Sequence, residues 1–191
     1  MDKDYKTIKT AAEATTFQHI EVTVFTVNTQ FNGYIVCKPH QRLLDILNAK
    51  SNLNNILSHD FLEIRNVDIF GRGSQNPDRH LDIGYARRSN IIFVGERKCL
   101  DSYRIEKTHP MREKKPIRTE IELPQVILKG AIYAETWQDL PGALHRNELF
   151  LPLTEVELDV KLADGINHFD FAAVNRDHIV FIGADLSRIE S

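Results

Sequence analysis

The sequence predicts a mainly β protein with some α. It reads as two tandem, related small units, each an antiparallel bent or barrel-like sheet with one short helix. Three observations predict this. Short runs rich in β-branched and aromatic residues recur along the chain, bounded by Gly, Pro, Asn and Ser. Only two short segments carry helical spacing. The second half also repeats the first. An offset of 97 aligns Gly33 with Gly130, Ile35 with Ile132, Gln41 with Gln138, Leu43 with Leu140 and Leu47 with Leu144. An offset of 89 aligns Phe61 with Phe150, Leu62 with Leu151 and Val67 with Val156. An offset of 88 aligns Arg88 with Arg176, Ile91 with Ile179, Phe93 with Phe181 and Gly95 with Gly183. The matches fall on apolar positions, turn glycines and the helical turn, the positions that a repeated fold constrains.

Residues 1–19 form a polar arm. From Ile20, Val22, Val24 and Thr26 alternate with Thr23, Phe25 and Val27 as a strand. Asn28–Gln30 is a turn, Phe31–Cys37 a second strand, and Pro39 its stop. Leu43, Leu44 and Leu47 lie on one helical face within Arg42–Asn48. An Asn- and Ser-rich loop at 49–59 precedes a strand at Phe61–Phe70. Gly71–Arg79 is a loop, Leu81–Ala86 a strand, Ser89-Asn90 a turn and Ile91–Glu96 a buried strand. Residues 97–118, with Pro110 and Pro116, read as a basic linker with some strand at Cys99–Ile105. Two strands then flank Pro124, and Leu140–His145 is a helical turn. Phe150–Val160 is a strand in which Pro152 marks an edge or bulge. Phe169–Val174 and His178–Gly183 close the second unit around the turn Asn175–Asp177. The expected divisions are an arm at 1–19, a first repeat at 20–96, a linker at 97–118, a second repeat at 119–185 and a tail at 186–191.

Phe150-Leu-Pro-Leu-Thr-Glu-Val, followed by Val174-Asn-Arg-Asp-His-Ile, resembles a group of uncharacterised bacterial β-domains with Phe-Leu-Pro-Leu-Thr and Asn-Arg-x-x-Ile signatures. The first half departs from that pattern. It has Glu63-Ile64-Arg65 in place of Pro-Leu-Thr and Arg87-Arg88 in place of Asn-Arg. The resemblance implies a fold and no activity. In element count the units also resemble Sm-like and SH3-like barrels.

Charge is distributed unevenly. Residues 97–118 hold eight Lys/Arg against three Asp/Glu, and residues 119–191 hold five against thirteen. The basic stretch suggests docking on the acidic repeat, within or between chains. Glu155, Glu157 and Asp159 alternate with Val156, Leu158 and Val160, which predicts an acidic sheet face. The eight histidines show no metal-ligand spacing, and the two cysteines, Cys37 and Cys99, suggest neither disulfide nor zinc site. Phosphate-loop, dinucleotide and nucleophile-elbow motifs are absent, so no cofactor and no catalytic residue are assigned. No apolar run approaches the roughly 20 residues of a membrane span, and no secretory signal is expected from Met1–Lys6.

The reading is a cytoplasmic, non-enzymatic binding, regulatory or scaffold module that holds a protein partner or a second copy. Its candidate binding residues are Arg88, Lys114, Lys115, Arg118, Arg176 and His178. One alternative is a nucleic-acid or nucleotide-binding Sm-like barrel using the basic stretch, a partner that the acidic second half disfavours. Another is a small hydrolase with a site built from His168, Asp170 and Arg176.

Overall fold

A computed structural model describes residues 17–39, 41–49, 60–71, 73–99, 114–145 and 147–184. Most of the expected arm, the 49–59 loop, the centre of the linker and the tail lie outside these residues, as does the strand expected beyond Cys99. The first half contains β1 (Gln18–Thr26), β2 (Thr29–Cys37), α1 (Leu43–Leu47), β3 (Phe61–Gly71), β4 (Arg79–Arg87) and β5 (Ile91–Cys99). The second contains β6 (Lys114–Leu123), β7 (Val126–Glu135), α2 (Leu140–Leu144), β8 (Phe150–Leu158), β9 (His168–Asn175) and β10 (Phe181–Ala184). A 3₁₀ turn precedes the last strand of each half, at Arg88–Asn90 and Arg176–His178.

All ten strands form one antiparallel sheet that does not close, in the order β10-β6-β7-β8-β9-β5-β1-β2-β3-β4. Each half runs last, first, second, third, fourth. The halves join where β5 pairs with β9, with Phe93 opposite Val174 and Glu96 opposite Phe171.

The local chemistry explains the elements. Asp139 caps α2 by accepting from the Gly142 backbone N–H at 2.9 Å, and Pro141 sits in the first turn, where its missing N–H costs nothing. At α1, Asp45 reaches back to the Arg42 N–H at 3.2 Å. The β6–β7 hairpin turns on Pro124-Gln125, with Gln125 at φ 81, the left-handed position that a type II turn requires.

Both halves bend at the same place. Asn66 in β3 and Glu155 in β8 have φ 51 and 52, and each interrupts the pairing to the preceding strand. The facing residues are Gly33 and Gly130. A Cβ on Gly33 would lie 2.6 Å from the Arg65 carbonyl, and one on Gly130 2.8 Å from the Thr154 carbonyl. Glycine is required at both positions because backbone fills the space that a side chain would take.

Several boundaries differ from the sequence expectation. β5 extends to Cys99 and β6 begins at Lys114, so both ends of the 97–118 stretch are strand. Pro116 lies within β6, where β10 does not reach. β10 pairs only with Thr119–Glu122, so the missing Pro116 N–H leaves no ladder bond unmade on that side. β8 is an interior strand, but its pairing to β7 ends at Thr154, so Pro152 meets β9 alone. The acidic alternation holds through Leu158, with Glu155 and Glu157 exposed and Val156 and Leu158 buried, and stops there: Asp159 lies beyond the strand, where it accepts from the Ile127 N–H at 2.8 Å, and Val160 is exposed.

The core has two parts that exchange residues. The first-half core, with Val22, Ile35, Leu43 and Ile64, includes Phe150 and Ala173 from the second half. The second-half core, with Leu128, Leu153 and Val156, includes Ile92 and Phe93 from β5. Phe93 stacks on Phe25 at 5.1 Å and meets the Phe169 ring edge-on at 6.2 Å.

Candidate functional site

An open sheet ends in two unpaired strands, here β4 and β10. Among the described residues neither has a strand on its outer side, so a row of backbone N–H and C=O groups faces outward at each end. Both strands also expose apolar side chains. Leu81, Ile83 and Tyr85 share one face of β4, and Phe181, preceded by Val180, opens β10. Tyr85 is tethered only weakly, through a 3.4 Å contact from its hydroxyl to Glu63. An exposed apolar edge is a surface that soluble proteins normally protect.

The six sequence-predicted binding residues fall into two separate groups. The first comprises Arg88, Arg176 and His178 in the two 3₁₀ turns. Arg88 is buried and donates to the carbonyls of Ile46 at 3.0 Å and Leu47 at 2.5 Å, satisfying the C-terminal end of α1. Burial lowers its pKa from the ordinary guanidinium value. His178 Nε2 donates to the Ser89 carbonyl at 2.8 Å, tying one turn to the other. The Arg176 N–H donates to the Leu149 carbonyl at 2.9 Å. Buried Asn175, which was read only as a turn residue, holds this region together. Its Nδ2 donates to the carbonyls of Arg88 at 3.2 Å and Ile91 at 2.8 Å, while its Oδ1 accepts from the Asp177 N–H at 3.0 Å. The second group, Lys114, Lys115 and Arg118, lies on β6, with β7, β8 and β9 between it and β5. Arg118 pairs with Glu155 at 2.6 Å, and Arg97 pairs with Asp164 at 2.5 Å. Two cations of the basic stretch thus neutralise carboxylates of the second half.

Comparison with protein-family models, curated proteins and solved structures finds no match to the chain.

Two depressions indent the surface. The smaller, of about 330 Å³, includes Glu21, Glu96, Arg97, His168 and Asp170 in its lining. His168 Nε2 and Asp170 Oδ1 are 3.4 Å apart, and both side chains are exposed. Arg176 lies eight residues farther along, about 26 Å in an extended strand, so the expected hydrolase trio does not assemble. Burial raises the Glu96 pKa, and the neighbouring Asp170 charge adds to the rise. The larger depression, of about 790 Å³, lies among the strand-connecting loops, between Asn28, Gln75, Gln125 and Lys161. Its buried amide, Gln30, is engaged within the chain, with Oε1 accepting from the Ala163 N–H at 3.0 Å. Among the described residues no group of three His, Cys, Asp or Glu side chains is placed to hold a metal ion. No helix among them is long and apolar enough to cross a membrane.

The edge residues Leu81, Ile83, Tyr85, Val180 and Phe181 were not singled out from sequence. Their alternation is that of a core face, and only the sheet order reveals that they lie outside. The residues aligned with them in the other half carry the missing signal.

Proposed function

We propose that the protein is a non-enzymatic scaffold or regulatory module that binds a protein partner by extending its sheet. One observation carries this reading. Among the described residues, the two terminal strands present unpaired backbone groups and exposed apolar side chains together. Strand addition uses that combination, with main-chain hydrogen bonds supplying affinity and alternate side chains supplying specificity. The internal pairing of Arg118 with Glu155 and the acidic second half weigh against a phosphate-bearing partner. A reducing cytoplasm suits a chain with only two cysteines, of which Cys37 is buried.

The test places a photo-cross-linkable phenylalanine analogue at Tyr85, at Phe181 and, as a control, at the exposed Trp137, which follows β7 and belongs to neither terminal strand. Irradiation in the native host is expected to give protein adducts at Tyr85 and Phe181 and none at Trp137. Equal adducts at all three positions, or none at either edge, refute binding through the edges.

A further inference from the structure

Resting on that reading, we infer that the partner is a second copy of this chain, with β10 of one molecule adding to β4 of the next. The β5–β9 junction inside the chain is the template. There, the last strand of the first half pairs with the fourth strand of the second. The free strands at the two ends are the complementary pair: β4 is the fourth strand of its half and β10 the last of its half.

The aligned residues fit in detail. Moving the junction by the offset of 88 turns Phe93–Val174 into Phe181–Ala86 and Val94–Ala173 into Ile182–Tyr85. Gly95–Ala172 becomes Gly183–Gly84, and Glu96–Phe171 becomes Ala184–Ile83. Exposure then divides by position. Phe93 is 0 % exposed at the junction and its counterpart Phe181 is 57 % exposed. Phe169 is 3 % exposed and its counterpart Leu81 44 %, while Ala173 is 0 % and Tyr85 61 %. At these three positions a residue that the internal junction buries has a counterpart left in solvent at the ends, while Ala86, the counterpart of Val174, is already buried.

Packing supports the same register. At the junction a Cβ on Gly95 would come within 2.6 Å of the Phe169 ring, so glycine makes the room that the ring occupies. Gly183 stands at the same position on β10, where the exposed Phe181 ring lies 3.1 Å from the place of a Cβ, and Leu81 is the counterpart of Phe169 that would take the ring's place. The core exchange also continues. The second-half core takes Ile92 and Phe93 from β5, and Val180 and Phe181 stand at the same positions for the first-half core of the next chain. Such a contact is head-to-tail. It yields a closed ring if the rotation per chain divides a full turn and a filament otherwise.

Sedimentation of the full chain across a concentration series is expected to show assemblies at multiples of 22.0 kDa. A double variant, Tyr85→Cys with Ile182→Cys, places two thiols opposite each other across the contact. Directly opposed Cα atoms lie about 4.5–5.5 Å apart, within disulfide reach. Mild oxidation is expected to give a covalent ladder, because the two strands are at opposite ends of one molecule. Leu81→Cys with Ile182→Cys, about 13 Å out of register, is expected to give none. A chain that stays monomeric and forms no ladder overturns the inference. If such a monomer still cross-links to another protein through its edges, the binding function stands and only the second-copy partner falls. A covalent dimer from Tyr85→Cys alone would indicate a two-fold contact and overturn the head-to-tail arrangement.

Discussion

Asn175→Ala tests whether the turn between β9 and β10 is scaffold. The side chain is fully buried and makes three hydrogen bonds, two donated to carbonyls and one accepted from a backbone N–H. Each bond contributes about 0.5–1.5 kcal/mol net, and a buried group left without a partner costs about 1–3 kcal/mol. Water cannot replace the amide easily at a site with no solvent exposure, so the loss should reach about 3 kcal/mol. Asn175→Asp removes only the two donated bonds and keeps the acceptor for Asp177, but it buries a charge facing two carbonyl oxygens. It should therefore cost at least as much at neutral pH and less in acid, where the carboxyl is protonated and can donate. Urea unfolding followed by circular dichroism measures both variants. The m-value should stay near that of the parent, with one transition, because the two cores share residues. A loss below about 1 kcal/mol for Asn175→Ala would refute the scaffold role and reopen the turn as a contact site.

Gly33→Ala and Gly130→Ala should each destabilise by about 1–3 kcal/mol, read from the same urea curves, because the added methyl group meets a carbonyl oxygen that the bulge fixes in place. Glu96 holds its proton more tightly in the folded state, so its contribution to stability falls as pH rises from the ordinary carboxylate pKa through the raised folded value. Glu96→Gln should therefore raise stability at neutral pH and have no effect in acid; an equal gain at both pH values would refute this. Arg118→Gln should lower stability by no more than about 1 kcal/mol in low salt and less in high salt, since both partners are about half exposed. Lys114→Gln with Lys115→Gln should leave oligonucleotide binding unchanged and negligible in a salt titration; a salt-sensitive shift lost in that variant would establish a nucleic-acid partner.

The element sequence was legible because each element depends on local chemistry. Leu43, Leu44 and Leu47 show a helical face, Pro124-Gln125 a turn, and Val22 to Val24 a strand. The bulges were not legible: Asn66 is a residue type that tolerates a left-handed backbone but sits inside a strand pattern that gives no local sign of one, and Glu155 is a type that rarely adopts it. Their geometry is imposed by Gly33 and Gly130 on the neighbouring strand. The acidic face was legible for Glu155 and Glu157, which are exposed while Val156 and Leu158 are buried, and was lost only at Asp159, beyond the strand end. Arg88 was read as a ligand candidate, yet it caps a helix more than forty residues earlier in the chain, a distance that local reasoning cannot span. The open edges were hidden because Leu81, Ile83 and Tyr85 alternate as core residues do, and strand order depends on pairing between distant segments.

The exchanged core residues set an order of events during synthesis. Asn48, at the end of α1, both donates to the Phe150 carbonyl and accepts from its N–H, each at 2.9 Å. Phe150 and Ala173 fill the first-half core, and Asn175 fastens β5 from the far side. An N-terminal half leaving the ribosome has its own strands but lacks one wall. It cannot complete its packing until translation has passed Asn175. Until then Ile91 and Val94, both fully buried in the finished protein, remain uncovered on that side. Between the synthesis of β5 and that of Asn175 the nascent chain therefore carries an apolar surface, which makes it a natural client for chaperones that shield such surfaces.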